Sequence, residues 1–99
     1  MLVKRFILDE NEIQDVEKSM KLLCRDTIEK EVQEYFGSYG TYKNKESGYI
    51  SVTAPQIAGP QFFGWLTAMG RDITIVKPKK TAVAYRDYLK LLAKEYKGI

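Results

Sequence analysis

The chain has no histidine among its 99 residues and a single cysteine, Cys24. Lacking histidine, it lacks the commonest general acid/base at neutral pH and the commonest nitrogen ligand for zinc or copper. One cysteine forms neither an internal disulfide nor a thiolate cluster, and it points to a reducing compartment, hence the cytoplasm. No apolar run approaches the ~20 residues of a membrane span. No apolar block followed by a small-residue cleavage site opens the chain, so no secretory signal is expected. There is no internal repeat, low-complexity tract or Pro/Gly/Ser linker, and no acidic loop has the ligand spacing of a calcium or magnesium site.

What remains is an ordinary globular composition, 44% hydrophobic and 29% charged, which excludes a disordered chain and fits one small domain with a single modest core. The net charge of +3 is unevenly spread. Residues 1–18 carry −2, residues 19–50 are neutral, and residues 51–99 carry +5. The basic character lies in the last half.

The best-punctuated stretch is Gly59 to Pro78. Pro60 suits a first helical position, where its missing N–H costs nothing. Phe62, Trp65, Leu66 and Met69 recur at helical spacing, and Gly70 supplies a left-handed cap. Ile73 to Val76 is a β-branched run that Pro78 stops. Gly64 is out of place inside a helix, where glycine costs ~1 kcal/mol relative to alanine, and a close backbone approach at that point would account for it.

Elsewhere, Val3 to Leu8 reads as a short strand, and Ile13 to Val16 as either a strand or a helical turn. Met20 to Arg25 is a strand. Asp26 with Glu29 has capping-box spacing, and Ile28, Val32, Tyr35 and Phe36 form the apolar face of a helix that Gly37 ends. Gly40 to Asn44 is a strand, Lys45 to Gly48 a turn, and Tyr49 to Ala54 a strand with Ile50, Val52 and Ala54 on one face. A last helix runs from about Lys79 to Tyr96 on Ala82, Tyr85, Leu89, Leu92 and Tyr96.

From Met20 the order is β-α-β-β-α-β-α. This predicts an α+β domain: a ferredoxin-like βαββαβ unit with a four-stranded antiparallel sheet and an additional C-terminal helix. The sheet face away from the first two helices would carry Lys21, Leu23, Arg25, Tyr49, Ser51, Thr53, Thr74 and Val76. That face is only half polar, so the last helix, the N-terminal segment or a partner is expected over part of it.

No catalytic constellation stands out. The serines have no histidine to activate them, Cys24 falls at an inward strand position, and Glu29, Glu31 and Glu34 read as a solvated face. A small ferredoxin-like enzyme would need a perturbed carboxylate or lysine in a pocket, and the sequence nominates none. The basic groups carry more interest. Arg86, Lys90 and Lys94 lie at i, i+4 and i+8, and Lys77, Lys79 and Lys80 cluster where the last strand meets the last helix. A solvated face explains both groups in part; an anionic partner such as nucleic acid or a phosphate explains them as well. The candidate anion-binding residues are Arg71, Lys77, Lys79, Lys80 and Arg86. Tyr49, in Lys45-Glu46-Ser47-Gly48-Tyr49-Ile50-Ser51-Val52, falls where an RNA-recognition motif keeps its stacking aromatic, although Ser51 replaces the second one. This leaves a single-stranded nucleic-acid-binding module as an alternative reading.

Met20 to Tyr96 resembles the C-terminal extension domain, often called WCX, of bacterial WYL-domain transcriptional regulators. The carriers are Lys21-Leu22-Leu23-Cys24-Arg25, Val32 to Gly37 ending in Tyr-Phe-Gly, Gly48 to Val52, Phe62-Phe63-Gly64-Trp65-Leu66 through Gly70, the strand ending at Pro78, and a last helix closing on Tyr96. Arg5-Phe6-Ile7-Leu8-Asp9 with Ile13 to Val16 is similar to the last strand pair of the WYL domain. Residues 1–18 would then be the tail of that domain or an extra strand segment, and 19–99 the ferredoxin-like domain. The resemblance implies a cytoplasmic regulator with a winged helix for DNA, a WYL sensor, and this non-enzymatic domain for effector sensing or dimerisation. It implies no cofactor and no membrane partner, and it admits a nucleotide or single-stranded nucleic-acid effector. The Trp-Tyr-Leu tripeptide is absent, so the resemblance implies a fragment or truncated product, and Glu10 in place of the arginine common after Leu-Asp argues against effector contact from that point.

Overall fold

Four stretches of alternating apolar residues pair into one antiparallel sheet, and the computed structural model describes residues 7–98 of the chain. The elements are β1 (Ile13–Arg25), α1 (Glu29–Phe36), β2 (Thr41–Asn44), β3 (Tyr49–Ile57), α2 (Pro60–Met69), β4 (Ile73–Lys77) and α3 (Lys79–Glu95), with short 3-10 turns between several of them. The strand order is β2-β3-β1-β4, with every neighbouring pair antiparallel. This is the ferredoxin-like arrangement with an added C-terminal helix. Among the described residues no helix is long and apolar enough to cross a membrane.

The core lies on one side of the sheet. Met20, Leu22 and Cys24 of β1, Ile50, Val52 and Ala54 of β3, and Ile73 of β4 meet Val32, Tyr35 and Phe36 of α1 and Phe62, Phe63, Trp65 and Leu66 of α2. The Tyr35 ring stacks on Trp65 with centroids 4.2 Å apart, and Phe36 meets Trp65 edge-on at 5.5 Å. Such pairs add about 0.5–1.5 kcal/mol each beyond burial, and they bind the two helices together.

The N-terminal segment is part of this body. The Val3–Leu8 strand expected from sequence falls largely outside the described residues, and Ile7 and Leu8 are in neither helix nor strand. The Leu8 N–H donates to the Tyr35 carbonyl at 3.0 Å. Ile13 to Val16 proves to be strand, continuous with Met20–Arg25. The continuity is interrupted: Asp15 pairs with Gln56 and Ser19 with Pro55, so residues 16–18 loop out of the ladder. The Asp15 carboxylate holds the loop by accepting the Glu17 N–H at 2.8 Å.

Two sequence expectations require correction, and one of the three candidates for covering the open sheet face is removed. Asp26 does not cap α1. It opens a 3-10 turn in which its own carbonyl accepts the Glu29 N–H, so the backbone does what the carboxylate was expected to do. Gly64 faces open space: a Cβ there would meet nothing within 4 Å. The close approach is at Gly59 instead, where a Cβ would collide with the Glu12 carboxylate. The last helix, finally, does not lie over the open sheet face. It packs on the helix side against α2, with Tyr85 and Tyr88 flanking Phe63 at 5.5 and 5.4 Å. Its inward residues are Thr81, Ala84, Tyr85 and Tyr88, while Leu89 and Leu92, further along the same side, lie past the core and are exposed.

Glu12 explains the glycine. It is 9% exposed, and its two carboxylate oxygens accept the N–H groups of Gln61 and Phe62 at 2.9 and 2.8 Å. Gly59, the N-cap of α2, has no side chain with which to do so. A carboxylate from another part of the chain therefore satisfies the orphan donors of the first turn and meets the positive end of the helix dipole.

Two predictions follow from these positions. Gly64→Ala raises stability by about 0.4–1 kcal/mol, whereas Gly59→Ala lowers it; urea denaturation of both variants tests the pair. Glu12→Ala costs about 2–4 kcal/mol, because it leaves two buried donors unpaired and a void beside them. Glu12→Gln costs less in the same measurement, since it retains one acceptor.

Candidate functional site

The five basic residues singled out in the sequence do not converge. Arg71 lies in the turn before β4 and Lys77 at its far end, about 20 Å apart along an extended strand at ~3.3 Å per residue. Lys79 and Lys80 form the first turn of α3, and Arg86 lies two turns further on, exposed and 3.5 Å from the Asp87 carboxylate. Lys77, Lys79 and Lys80 do sit together at the β4–α3 junction. Lys80 also lines a cavity of about 200 Å³ with Gln14, Gln56, Ala58, Thr81 and Ala84.

The register of the sheet brings a different set of cations together. Residues directly opposite one another in an antiparallel ladder share a face. One row reads Thr41–Thr53–Lys21 across β2, β3 and β1, and Lys77 of β4 pairs with Lys21 beyond a register shift between Lys21 and Leu22. The next reads Lys43–Ser51–Leu23–Thr74. A third joins Tyr49 to Arg25. These rows contain four cations and no aspartate or glutamate. All three helices pack on the opposite face, so among the described residues no helix covers these rows. Sequence alternation gave Lys21, Leu23, Arg25, Tyr49, Ser51, Thr53 and Thr74 of these rows; Thr41, Lys43 and Lys77 needed the register.

At the end of the face, the Arg25 guanidinium sits 5.3 Å from the centre of the Tyr49 ring. The Asp72 carboxylate holds Arg25 at 3.7 Å. Tyr49 is half-buried, so its ring is already flanked by a planar cation.

A second exposed feature is the outer half of α3. Leu89, Leu92 and Tyr96 follow Tyr85 on one side of the helix and are 38%, 43% and 68% exposed, with Leu91 at 66%. This apolar surface runs past the core that anchors the first half of the helix. Arg86, Lys90 and Lys94 accompany it, all exposed.

A groove of about 500 Å³ is lined by Glu10, Ile13, Gln14, Asp15, Val16 and Tyr39. The Tyr39 hydroxyl donates to Glu10 at 2.6 Å, and this bond raises the phenol above its ordinary range. Among the described residues no group of three or more His, Cys, Asp or Glu side chains is placed to hold a metal ion. Cys24 is fully buried, and burial pushes its thiol up to about 12 from an ordinary 9.0.

The Cys24 shift has a signed consequence. The folded protein keeps the proton that the unfolded chain releases, so the associated stability is fully present below pH 9.0 and is lost between 9.0 and about 12. Denaturant titrations across this window show a steeper alkaline loss for the parent than for Cys24→Ala. A thiol reagent at pH 8 modifies the parent only as it unfolds.

No family model matches this chain, and no curated protein matches it.

Proposed function

We propose that the chain is a non-catalytic regulatory domain of the kind appended to bacterial WYL-type transcription factors, and that it contributes subunit contacts through α3. The observation that carries this reading is the apolar outer half of α3. Leu89, Leu92 and Tyr96 continue the side of the helix that Tyr85 packs on α2, but they extend past the domain's own core. Contiguous exposed apolar surface of this kind marks an interaction site, and a helix anchored at one end and bare at the other suits a contact between subunits. The ferredoxin-like order with its added helix agrees with the resemblance noted from sequence.

The electrostatics give this reading a distinctive signature. Arg86, Lys90 and Lys94 flank the stripe, so two copies meeting through α3 bring like charges together. Salt screens that repulsion. Sedimentation velocity of the chain is therefore expected to show a monomer–dimer equilibrium that shifts toward dimer as salt rises. Leu92→Lys abolishes it with an unchanged circular dichroism spectrum. A monomer at every protein and salt concentration would defeat the proposal.

A further inference from the structure

We infer that the cavity between the β1–β3 pair and the first turn of α3 binds a small amino-carboxylate of free-amino-acid size, its carboxylate at Lys80 and its ammonium at the amide oxygen of Gln56. The site uses neither the apolar stripe of α3 nor the cations of the open sheet face, and it stands whether or not the domain dimerises.

The first argument is an unsatisfied atom. Gln56 is 6% exposed and lines the cavity. Its amide nitrogen donates to the Ser19 carbonyl at 3.3 Å. That bond sets the orientation of the amide, because only the N–H end can meet a carbonyl. The oxygen is left for the cavity; it is buried and accepts no hydrogen bond. A buried acceptor without a donor is costly, and a donor entering the cavity supplies the missing bond. Gln14, on the exposed rim, repeats the pattern. Its amide nitrogen is spent on the carbonyls of Glu12 and Ala58, so its oxygen too is the end left for a donor.

The second argument is charge. No side chain caps α3, and its first turn has no acidic residue. The Thr81 and Ala82 N–H groups both donate to the Pro78 carbonyl. Lys77 precedes the helix and Lys79 and Lys80 open it. Cations at the positive end of a helix dipole are opposed by it, and an anion there offsets both. Lys80 is the one of the three that lines the cavity, and none of the lining residues is acidic.

Size and lining choose among ligands that join a donor to an anion. At about 200 Å³, the cavity falls below the ~300–1,000 Å³ of sites for drug-sized molecules. Ala58 and Ala84 leave the space open, and Thr81 adds a hydroxyl. No aromatic side chain lines it, so a nucleobase has nothing to stack on. The single ammonium of Lys80 matches a carboxylate more closely than a phosphate group, with its charge of about −1.5 to −2. A free amino acid carries the donor and the carboxylate on one carbon.

The test is a thermal melt of the full chain with glycine, L-alanine, L-serine, L-threonine, L-asparagine or L-glutamine, each at ~10 mM, followed by calorimetric titration of those that act. At least one is expected to raise the melting temperature, by roughly 6–11 °C where its concentration is ten times Kd. Lys80→Met, at an exposed position, weakens binding by about 10–100-fold. Gln56→Leu weakens it as well, and Ala84→Leu abolishes it by filling the cavity. Lys43→Met, with the same change of charge on the sheet, leaves it unchanged. Should the Gln56 or Ala84 variant fail to fold, the comparison of Lys80→Met with Lys43→Met carries the test. No shift with any of the six overturns the inference, since the cavity then holds water only. Equal affinity for acetate or inorganic phosphate also overturns it, as does unchanged binding in Lys80→Met or in a folded Ala84→Leu, or an equal loss in Lys43→Met.

Discussion

The rest of the structure depends on a buried carboxylate. Glu12 closes the first turn of α2 by accepting from Gln61 and Phe62, and that turn has no acceptor of its own because Gly59 and Pro60 open it. The bond spans some fifty residues of sequence, so it fixes the N-terminal segment as much as the helix. Around it, Ala58 donates to the Glu12 carbonyl, and the Gln14 amide reaches the carbonyls of both Glu12 and Ala58. Burying a charge costs several kcal/mol before any partner is counted. Two charge-assisted bonds and the helix dipole offset most of that. What the arrangement supplies is definition rather than surplus stability: α2 has one place to start, and Phe62, Trp65 and Leu66 are set in one register against α1. The same negative charge reaches Tyr35. Burial raises that phenol first, and the Glu12 and Asp9 carboxylates raise it further, so the ring stacked on Trp65 remains neutral.

The elements that sequence reading recovered are those whose reasons are local. Pro60 and Gly70 punctuate α2, alternation gives Ile50, Val52 and Ala54 one face of β3, and the i, i+3, i+4 recurrence of Val32, Tyr35 and Phe36 gives α1. The order of those elements carried the fold. What escaped is what depends on distant partners. Asp26 with Glu29 has the spacing of a cap, but a backbone carbonyl does that work. Gly64 looked like a contact and Gly59 like ordinary punctuation, and only Glu12 reverses the two. A signal for Glu12 was present: a helix start with no Ser, Thr, Asp or Asn before it must find an acceptor elsewhere. The last helix follows its expected stripe of Ala82, Tyr85, Leu89, Leu92 and Tyr96 only in part: Tyr85 packs on α2, Leu89, Leu92 and Tyr96 are exposed, and Thr81, Ala84 and Tyr88 complete the packed side.

The candidate surfaces were legible in composition but not in arrangement. A count of lysines and arginines places the positive charge in the last half of the chain. Pairing redistributes it: Lys21 and Lys43, from the neutral middle, join Lys77 across the sheet, while Lys79, Lys80 and Arg86 turn away with α3. Register is a long-range property, fixed when β1 takes β3 on one side and β4 on the other, and no local pattern contains it.

The architecture is one-sided, and this decides how its surfaces differ. All three helices and the aromatic core lie on one face of the sheet, so most apolar side chains of the strands are buried there. The opposite face is left with threonines, Ser51, Leu23, Val76 and lysines. Long lysine stems can lie along such a surface and keep their ammonium groups in water, which fits the burial of Ser51 between Lys43 and Leu23 in its row. The apolar excess appears instead at the far end of α3, on the helix side. A contact through α3 is made by burying leucine and is opposed by flanking cations, so salt strengthens it. A contact on the sheet would be made by those cations, so salt would weaken it. The two surfaces face away from each other and respond to ionic strength in opposite directions, which makes contacts through them separable within the same intact domain.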